Sequence, residues 1–428
     1  MMYKKRIADE ELSFRLECSG AVLIEGPKWC GKTTTGIQQA QSVIKLQDSD
    51  QHERYQAIAD VKPSMLLEGE HPRLIDEWQE IPLLWDAVRN SVDENNETGL
   101  YIMTGSNTVD TNQIKHSGTG RIARMRMDTM SLFESGESNG QVSLSELFAH
   151  PTMEIVVKSE LSIEELIFVA CRGGWPGYLA RKTDRAQLQI ARDYVTSVCS
   201  IDVSTIDGTK RNPLLAEQIL RSYSRNVSTL AKDTSILQDV TASFETCSPV
   251  TFRSYVDALE KLFVIQDIDA WCPSIRSATA IRSSKKRGFC DPSIAVAAMG
   301  LSPDYYLKDL PSFGFVFESL CMRDLRVYST GNEGRLSYYH DRYGLEADCV
   351  IHLRDGRYAL CEFKLGNREI EEGSQHLLEI ARLVRTFNET GKGPKLREPD
   401  LLLVVTGGEY GYRRRDGVYV IPIGCLRN

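Results

Sequence analysis

The chain has 428 residues, more than the roughly 250 at which a single hydrophobic core stops growing, so two or three domains are expected. Apolar residues make up 42% and charged residues 26%, ordinary globular values that exclude disordered and fibrous classes. The net charge of −8 argues against a protein that coats DNA through its overall charge, although a local basic patch stays compatible with it.

The longest apolar runs, such as residues 401–405, fall far short of the roughly 20 needed to cross a bilayer, so no membrane partner is expected. The N-terminal residues mix Lys4, Lys5 and Arg6 with Asp9, Glu10 and Glu11 and lack the apolar core of a secretory signal. Eleven cysteines, an odd number with no CxxC pair, point to reduced thiols and a cytoplasmic location rather than to structural zinc or disulfides.

Residues 21–25 are apolar up to Glu25 and read as a buried strand. Gly26, Pro27, Lys28, Trp29, Cys30, Gly31, Lys32 and Thr33 follow, matching GxxxxGK and then Ser or Thr, and Thr34 opens a helical segment. This chemistry suits a nucleoside triphosphate. Glycines permit close backbone approach, loop amides and a helix N-terminus attract phosphate oxygens, and Lys32 neutralises the β and γ phosphates. Thr33 would give its hydroxyl oxygen to Mg2+. ATP and ADP are the expected ligands.

After Arg73, a second short apolar run, Leu74 and Ile75, ends in Asp76 and Glu77. Asp76 would hold a magnesium-bound water, and Glu77 would orient or deprotonate the attacking water. A third strand, residues 100–104, leads into Gly105, Ser106 and Asn107, where Asn107 would sense the γ phosphate or simply belong to a turn. Arg121, with Arg124 as the weaker candidate, would serve as a finger on the transferring phosphoryl group. It would act from its own subunit or from a neighbouring one in a homo-oligomer. Cys30 lies beside Lys32 and a helix N-terminus, where one reading is a thiol of lowered pKa whose oxidation blocks nucleotide binding and the other is a tolerated small residue.

GPKWCGKTTT, LIDEWQE, YIMTGSNT, GRIARMRMDTMSLFESGES and CRGGWPGYL together resemble prokaryotic AAA-type P-loop ATPases fused to a C-terminal domain of unknown function. The resemblance implies an α/β chain: a P-loop NTPase domain with a parallel sheet, a helical and winged-helix region, and an α/β endonuclease-like domain. The corresponding divisions are residues 1–153, 154–300 and 301–428, with the first boundary near Glu154, where strong apolar runs are lost.

In the middle region, Gly173, Gly174, Trp175, Pro176 and Gly177 form a turn-rich segment with a structural role. Three helical patterns lie between residues 213 and 262, with Ser228 and Thr251 as candidate N-caps, and an alternating strand over 263–271 completes the order of a winged helix-turn-helix. The run 272–290 holds Arg276, Arg282, Lys285, Lys286 and Arg287 without an acid. A DNA contact through this region and the basic loop 276–287 is one reading. A solvated loop, or one docked on an acidic domain, is the other.

Residues 313–327 read as an amphipathic helix containing Glu318. Residues 346–353 and 357–364 read as strands joined at Arg354, Asp355 and Gly356, and Gln375 falls in a later helix. Asp348, Glu362 and Lys364 resemble the PD-(D/E)xK nuclease core, with Ala347 where the motif's proline would stand. That resemblance implies Mg2+ or Mn2+ on Asp348 and Glu362, with Glu318 as a supporting ligand, Lys364 acting on the attacking water and Gln375 orienting. The assignment depends on register. A three-residue loop with Gly356 left-handed puts Asp348 opposite Glu362, whereas a two-residue loop would turn Asp348 away. Without the resemblance, a solvated hairpin with a Glu346–Lys364 pair is the simpler reading.

Overall fold

The computed structural model describes residues 3–106, 116–243, 247–273, 284–391 and 393–428. Asn107, Arg276 and Arg282 lie outside the described residues. Two compact units are present: Lys5–Thr129 with Lys261–Phe263, and Met130–Glu260 with Val264–Asn428 and the first four residues. The first boundary therefore falls at Thr129 and not near Glu154. The reason is local: the Leu132 N–H is held by the buried Asp324 carboxylate at 3.0 Å, and Val142–Ser143 pairs with Leu426–Arg427. The helical region and the C-terminal sheet likewise share one unit instead of forming two.

The smaller unit is a five-stranded parallel sheet, β1 (Ala21–Glu25), β2 (Ser42–Lys45), β3 (Arg73–Asp76), β4 (Tyr101–Gly105) and β5 (Ile122–Arg126), in the order β2-β3-β4-β1-β5. Strands buried on both faces read as continuous apolar runs, as β1 does. Their alternation divides the core. Ala21, Leu23, Ile75 and Met103 face one layer of helices, and Val22, Ile24, Leu74 and Ile102 face the other.

Helix α1 (Ile7–Cys18) lays Ala8, Leu12 and Leu16 on the second face, and α4 (Leu83–Asn95) lays Leu84, Trp85, Val88 and Val92 on the first. Both show the spacing of one helical face. Helix α2 (Lys32–Gln39) crosses the sheet at Gly36, where a Cβ would sit 3.0 Å from Leu74. In this parallel sheet Glu25 is level with Gly105, and Lys45 with Asp76. Gly26, Glu77 and Ser106, the residues that leave β1, β3 and β4, consequently share the carboxyl edge, where ligands of such sheets bind.

The larger unit holds a seven-stranded mixed sheet built from β7 (Val156–Lys158), β8 (Arg335–His340), β9 (Glu346–His352), β10 (Tyr358–Lys364), β11 (Leu401–Thr406), β12 (Tyr410–Arg413) and β13 (Tyr419–Pro422). Its order is β7-β12-β13-β11-β10-β9-β8, while β6 and β14 are the short pair Val142–Ser143 and Leu426–Arg427. Leu360, Val404 and Val420 are sealed by Leu377 and Ile380 of the helix Ile370–Thr390.

The three helices of the middle region are Pro213–Arg225, Asp233–Thr241 and Pro249–Lys261. The second begins later than expected. Ser228 does not cap it but sits at φ 61° with its N–H on the Arg287 carbonyl. Before the third, Ser248 accepts from the Thr251 N–H at 3.1 Å, so Thr251 is the capped residue and not the cap. The strand expected over 263–271 is reduced to the bridges Ile265–Phe289, Ile268–Lys286 and Ala270–Tyr338. All eleven cysteines are free thiols. Among the described residues no helix is long and apolar enough to cross a membrane.

The turn at Gly174 is a structural hub of this unit. Its N–H donates to Asp291 at 2.9 Å and its carbonyl accepts from Met130 at 2.7 Å. Arg323, 1% exposed, joins Asp291 at 3.1 Å and Asp324 at 2.6 Å.

Candidate functional site

The loop leaving β1 must turn tightly under the phosphates, and its residues show how. A Cβ on Gly26 would lie 2.1 Å from the Met127 carbonyl oxygen, and Gly31, at φ 108°, caps α2 in a conformation that favours glycine. Trp29 adopts φ 65° with its indole exposed. Arg6, buried and unremarked in the sequence, holds the loop from behind by donating to the carbonyls of Cys30 (2.9 Å) and Asp128 (3.0 Å).

Cys30 is fully buried. Burial pushes its thiol pKa up, outweighing the nearby cations Lys32 and Arg6. The expected thiolate beside a helix N-terminus is thus corrected, because desolvation of the charged form wins.

Lys32 is itself buried and donates to the carbonyls of Gly26 (3.0 Å) and Pro27 (2.9 Å). Its ammonium closes the loop on itself and would exchange these carbonyls for phosphate oxygens. Thr33 Oγ1 donates to Asp76 Oδ1 at 2.6 Å, and Thr104 Oγ1 donates to the same oxygen at 2.7 Å. The Thr104 hydroxyl also accepts the Glu77 N–H at 3.0 Å, using one donor and one acceptor in one geometry. Glu77 stands at φ 55°, and its Oε2 accepts from Gln79 Nε2 and, at 3.3 Å, from Ser106 Oγ.

Thr104, Gln79 and Ser106 therefore position the acids, and sequence reasoning missed the first two. A hydroxyl and a carboxylate in contact at the strand ends are the hard oxygen donors that Mg2+ takes, so this donor set fits the ion.

Arg121 does not meet the phosphate loop of its own chain. Its carbonyl accepts the Ala21 N–H at 3.1 Å, at the opposite end of β1 from Gly26. One strand length, about 16 Å, separates the two ends. Its side chain pairs with Asp93 at 2.6 Å. Arg124 is engaged with Glu25 at 3.7 Å and stacks over Trp85.

In the larger unit the β9–β10 hairpin has the register of a three-residue loop. Gly356 is left-handed at φ 86°, the Leu353 N–H reaches the Arg357 carbonyl at 2.8 Å, and Cys349 pairs with Cys361, which brings Asp348 opposite Glu362. Asp348, Glu362 and Glu318 come together, but with partners already in place. Lys286 Nζ lies 2.6 Å from Glu318 and 3.4 Å from Asp348. Asp348 Oδ2 accepts the Phe363 N–H at 2.9 Å, and Lys364 pairs with Glu362 at 2.9 Å.

Gln375 is exposed and bonded to Glu371, while its neighbour His376 points Nδ1 to within 3.6 Å of Glu362. Gln375 is thus engaged away from Glu362, and His376, one residue round the helix, stands nearer to it.

The electrostatics follow the burial. Burial raises the Glu318 carboxyl to about 8, although Lys286 opposes it. Glu362 is raised too, by burial and then by Asp348, with Lys364 opposing. Burial works against the Lys286 charge, yet Glu318 and Asp348 outweigh it and raise its pKa. These residues do not fit a divalent ion as they stand. Among the described residues no group of three or more His, Cys, Asp and Glu is arranged to hold a metal. The metal roles expected of Glu318, Asp348 and Glu362 therefore compete with the two ammonium groups that already pair with these acids.

In the basic loop, the described Lys286 and Arg287 follow the reading in which it docks on acids. Arg287 is bound by Asp233 (2.6 Å), Asp267 (2.7 Å), Tyr223 (2.9 Å) and the Ala231 carbonyl (2.7 Å). Lys286 is buried as well, and only Lys285, among the described cations of 276–287, is exposed. A sequence run records charge but not the acids that fold against it.

A parallel sheet that brings a GxxxxGKT loop to an acid pair at its carboxyl edge defines a P-loop ATPase domain. Comparison agrees: residues 19–135 match a family described as an AAA domain. Residues 163–305 match a domain of unknown function, DUF8612, and residues 313–426 match another, DUF4143. No curated protein matches the chain. Among solved structures it is similar to the Walker-type ATPase PABY2304 of Pyrococcus abyssi, with 14% identity and a TM-score of 0.40 over 68% of this chain and 94% of that one.

Proposed function

We propose that this chain is a magnesium-dependent ATPase whose nucleotide state switches the larger unit between conformations that differ in affinity for a partner, DNA or protein. The contact between Thr33 and Asp76 at 2.6 Å, with Glu77 on the next residue, carries the reading.

Lys32 turns its ammonium from the Gly26 and Pro27 carbonyls to the β and γ phosphates. The loop from Gly26 to Gly31 and the amides of Thr33 and Thr34 wrap the phosphate chain. Thr33 and Asp76 would hold Mg2+, which would supply charge neutralisation. Glu77, aimed by Gln79, Ser106 and the Thr104 hydroxyl, accepts a proton from the attacking water. ATP and ADP can bias the larger unit only through differential affinity for its states.

A second reading, nucleotide control of a metal-dependent nuclease, is favoured by the register that sets Asp348 opposite Glu362. The lysine partners of these acids weigh against it. Steady-state ATP hydrolysis and cleavage of supercoiled DNA, measured together for the native chain, Lys32→Ala and Asp348→Ala, separate the readings. Turnover lost in Lys32→Ala with no cleavage by any chain fits the switch, and cleavage lost in Asp348→Ala fits the nuclease. No turnover by the native chain refutes both.

A further inference from the structure

We propose that Lys286 is a built-in counter-ion that closes the Glu318, Asp348 and Glu362 pocket to divalent cations, and that removing its ammonium opens a site for Mn2+ or Mg2+ there. Three carboxylates from three elements converge: Glu318 from the helix Leu310–Tyr328, Asp348 from β9 and Glu362 from β10. Their side chains are 14%, 11% and 1% exposed. Acids gathered away from water need cations, and Lys286 and Lys364 supply them from within.

Lys286 is fixed from both ends. Its backbone exchanges two hydrogen bonds with Ile268, at 2.9 and 2.8 Å, and its Nζ reaches Glu318 and Asp348. A dication placed between those two carboxylates would meet the ammonium at contact distance, where like charges in a poorly solvated site repel strongly.

One oxygen of the pocket has no hydrogen bond from its present partners. Glu362 Oε1 is buried without a hydrogen-bond partner, and so is His376 Nδ1, 3.6 Å away. An acceptor left unmatched in a buried carboxylate pocket is where a cation would gain most. With Lys286 gone, Glu318 and Asp348, which share its ammonium, would be left as hard oxygen donors without that counter-ion, the kind of ligand that Mn2+ and Mg2+ prefer.

The test uses the full chain without nucleotide in an Asp76→Asn background, so the phosphate loop contributes no metal site. Mn2+ binding is read by electron paramagnetic resonance and thermal unfolding is followed in parallel. With Lys286 intact, adding Asp348→Asn should remove no bound Mn2+. Lys286→Gln should gain one Mn2+ site and melt lower than its parent, Mn2+ should raise its melting temperature again, and Lys286→Gln with Asp348→Asn should lose both effects. Lys286→Arg, which keeps the charge, should gain no site.

An Mn2+ site that is present with Lys286 intact and lost in Asp348→Asn overturns the proposal. So does a Lys286→Gln chain that neither binds Mn2+ nor is rescued by it. The readout involves no hydrolysis, so failure here leaves the ATPase reading unaffected.

Discussion

Thr104→Val replaces a hydroxyl by a methyl of similar volume at a residue that bonds both the Asp76 carboxylate and the Glu77 N–H. Two hydrogen bonds vanish, one to the Asp76 carboxylate at 2.7 Å and one from the Glu77 N–H at 3.0 Å. A hydrogen bond to a charged group contributes about 1.5–3 kcal/mol, and each tenfold in rate corresponds to about 1.4 kcal/mol. If that energy is spent on holding Glu77 in its left-handed conformation, kcat for ATP should fall about 10- to 100-fold.

The phosphate loop and Lys32 are untouched, so the KM for ATP should stay within about threefold, the pattern of a lost transition-state interaction. Thr104→Ser, which keeps the hydroxyl, should recover most of the rate. Steady-state ATPase kinetics on the three proteins decide. A Thr104→Val enzyme with native kcat, or one whose only change is a raised KM, would refute the positioning role.

Further expectations concern both units. Lys286→Met should destabilise the chain by about 3–5 kcal/mol in urea above pH 8, as breaking one side of a buried ion pair does, and Lys286→Met with Glu318→Gln should recover much of that. The Glu318 carboxyl, raised to about 8, contributes stability that is full below its unfolded value and lost as pH rises through the folded one. Without Lys286 to oppose it the folded value climbs, so the deficit of Lys286→Met should grow above about pH 8 and shrink below it.

Gly174→Ala would put a Cβ 2.1 Å from the Met130 carbonyl and should cost the upper end of about 1–3 kcal/mol, while Gly177→Ala, 3.7 Å from Ile190, should be near neutral in the same urea titration. Cys30, buried with a raised pKa, should react slowly with thiol reagents, and ATP hydrolysis should survive peroxide.

What the sequence made legible was whatever is encoded locally. The strand, glycine loop and helix around Lys32 are contiguous, whereas the β9–β10 register stayed open between two loop lengths that only the folded hairpin decides. What it hid was encoded by partners distant in the chain. For Lys286 and Arg287 the sequence leaves DNA contact, solvation and docking on acids open, because Glu318, Asp348, Asp267 and Asp233 come from other segments. Arg6 grips a loop 24 positions away. Thr104 reads as an ordinary strand residue until β4 lies beside β3, and α1 hides because its apolar stripe of Ala8, Leu12 and Leu16 is set among acids. Helical phase explains why His376 stands nearer to Glu362 than Gln375 does, since one residue turns the side chain by about 100°.

ATP turnover in Mg2+ by the native chain and by Glu77→Gln, with nucleotide binding measured on both, tests the central claim most directly. The account predicts that Glu77→Gln binds ATP as the native chain does and hydrolyses it about 100- to 10,000-fold more slowly, the range for losing a general base. Equal hydrolysis by the two proteins would contradict it.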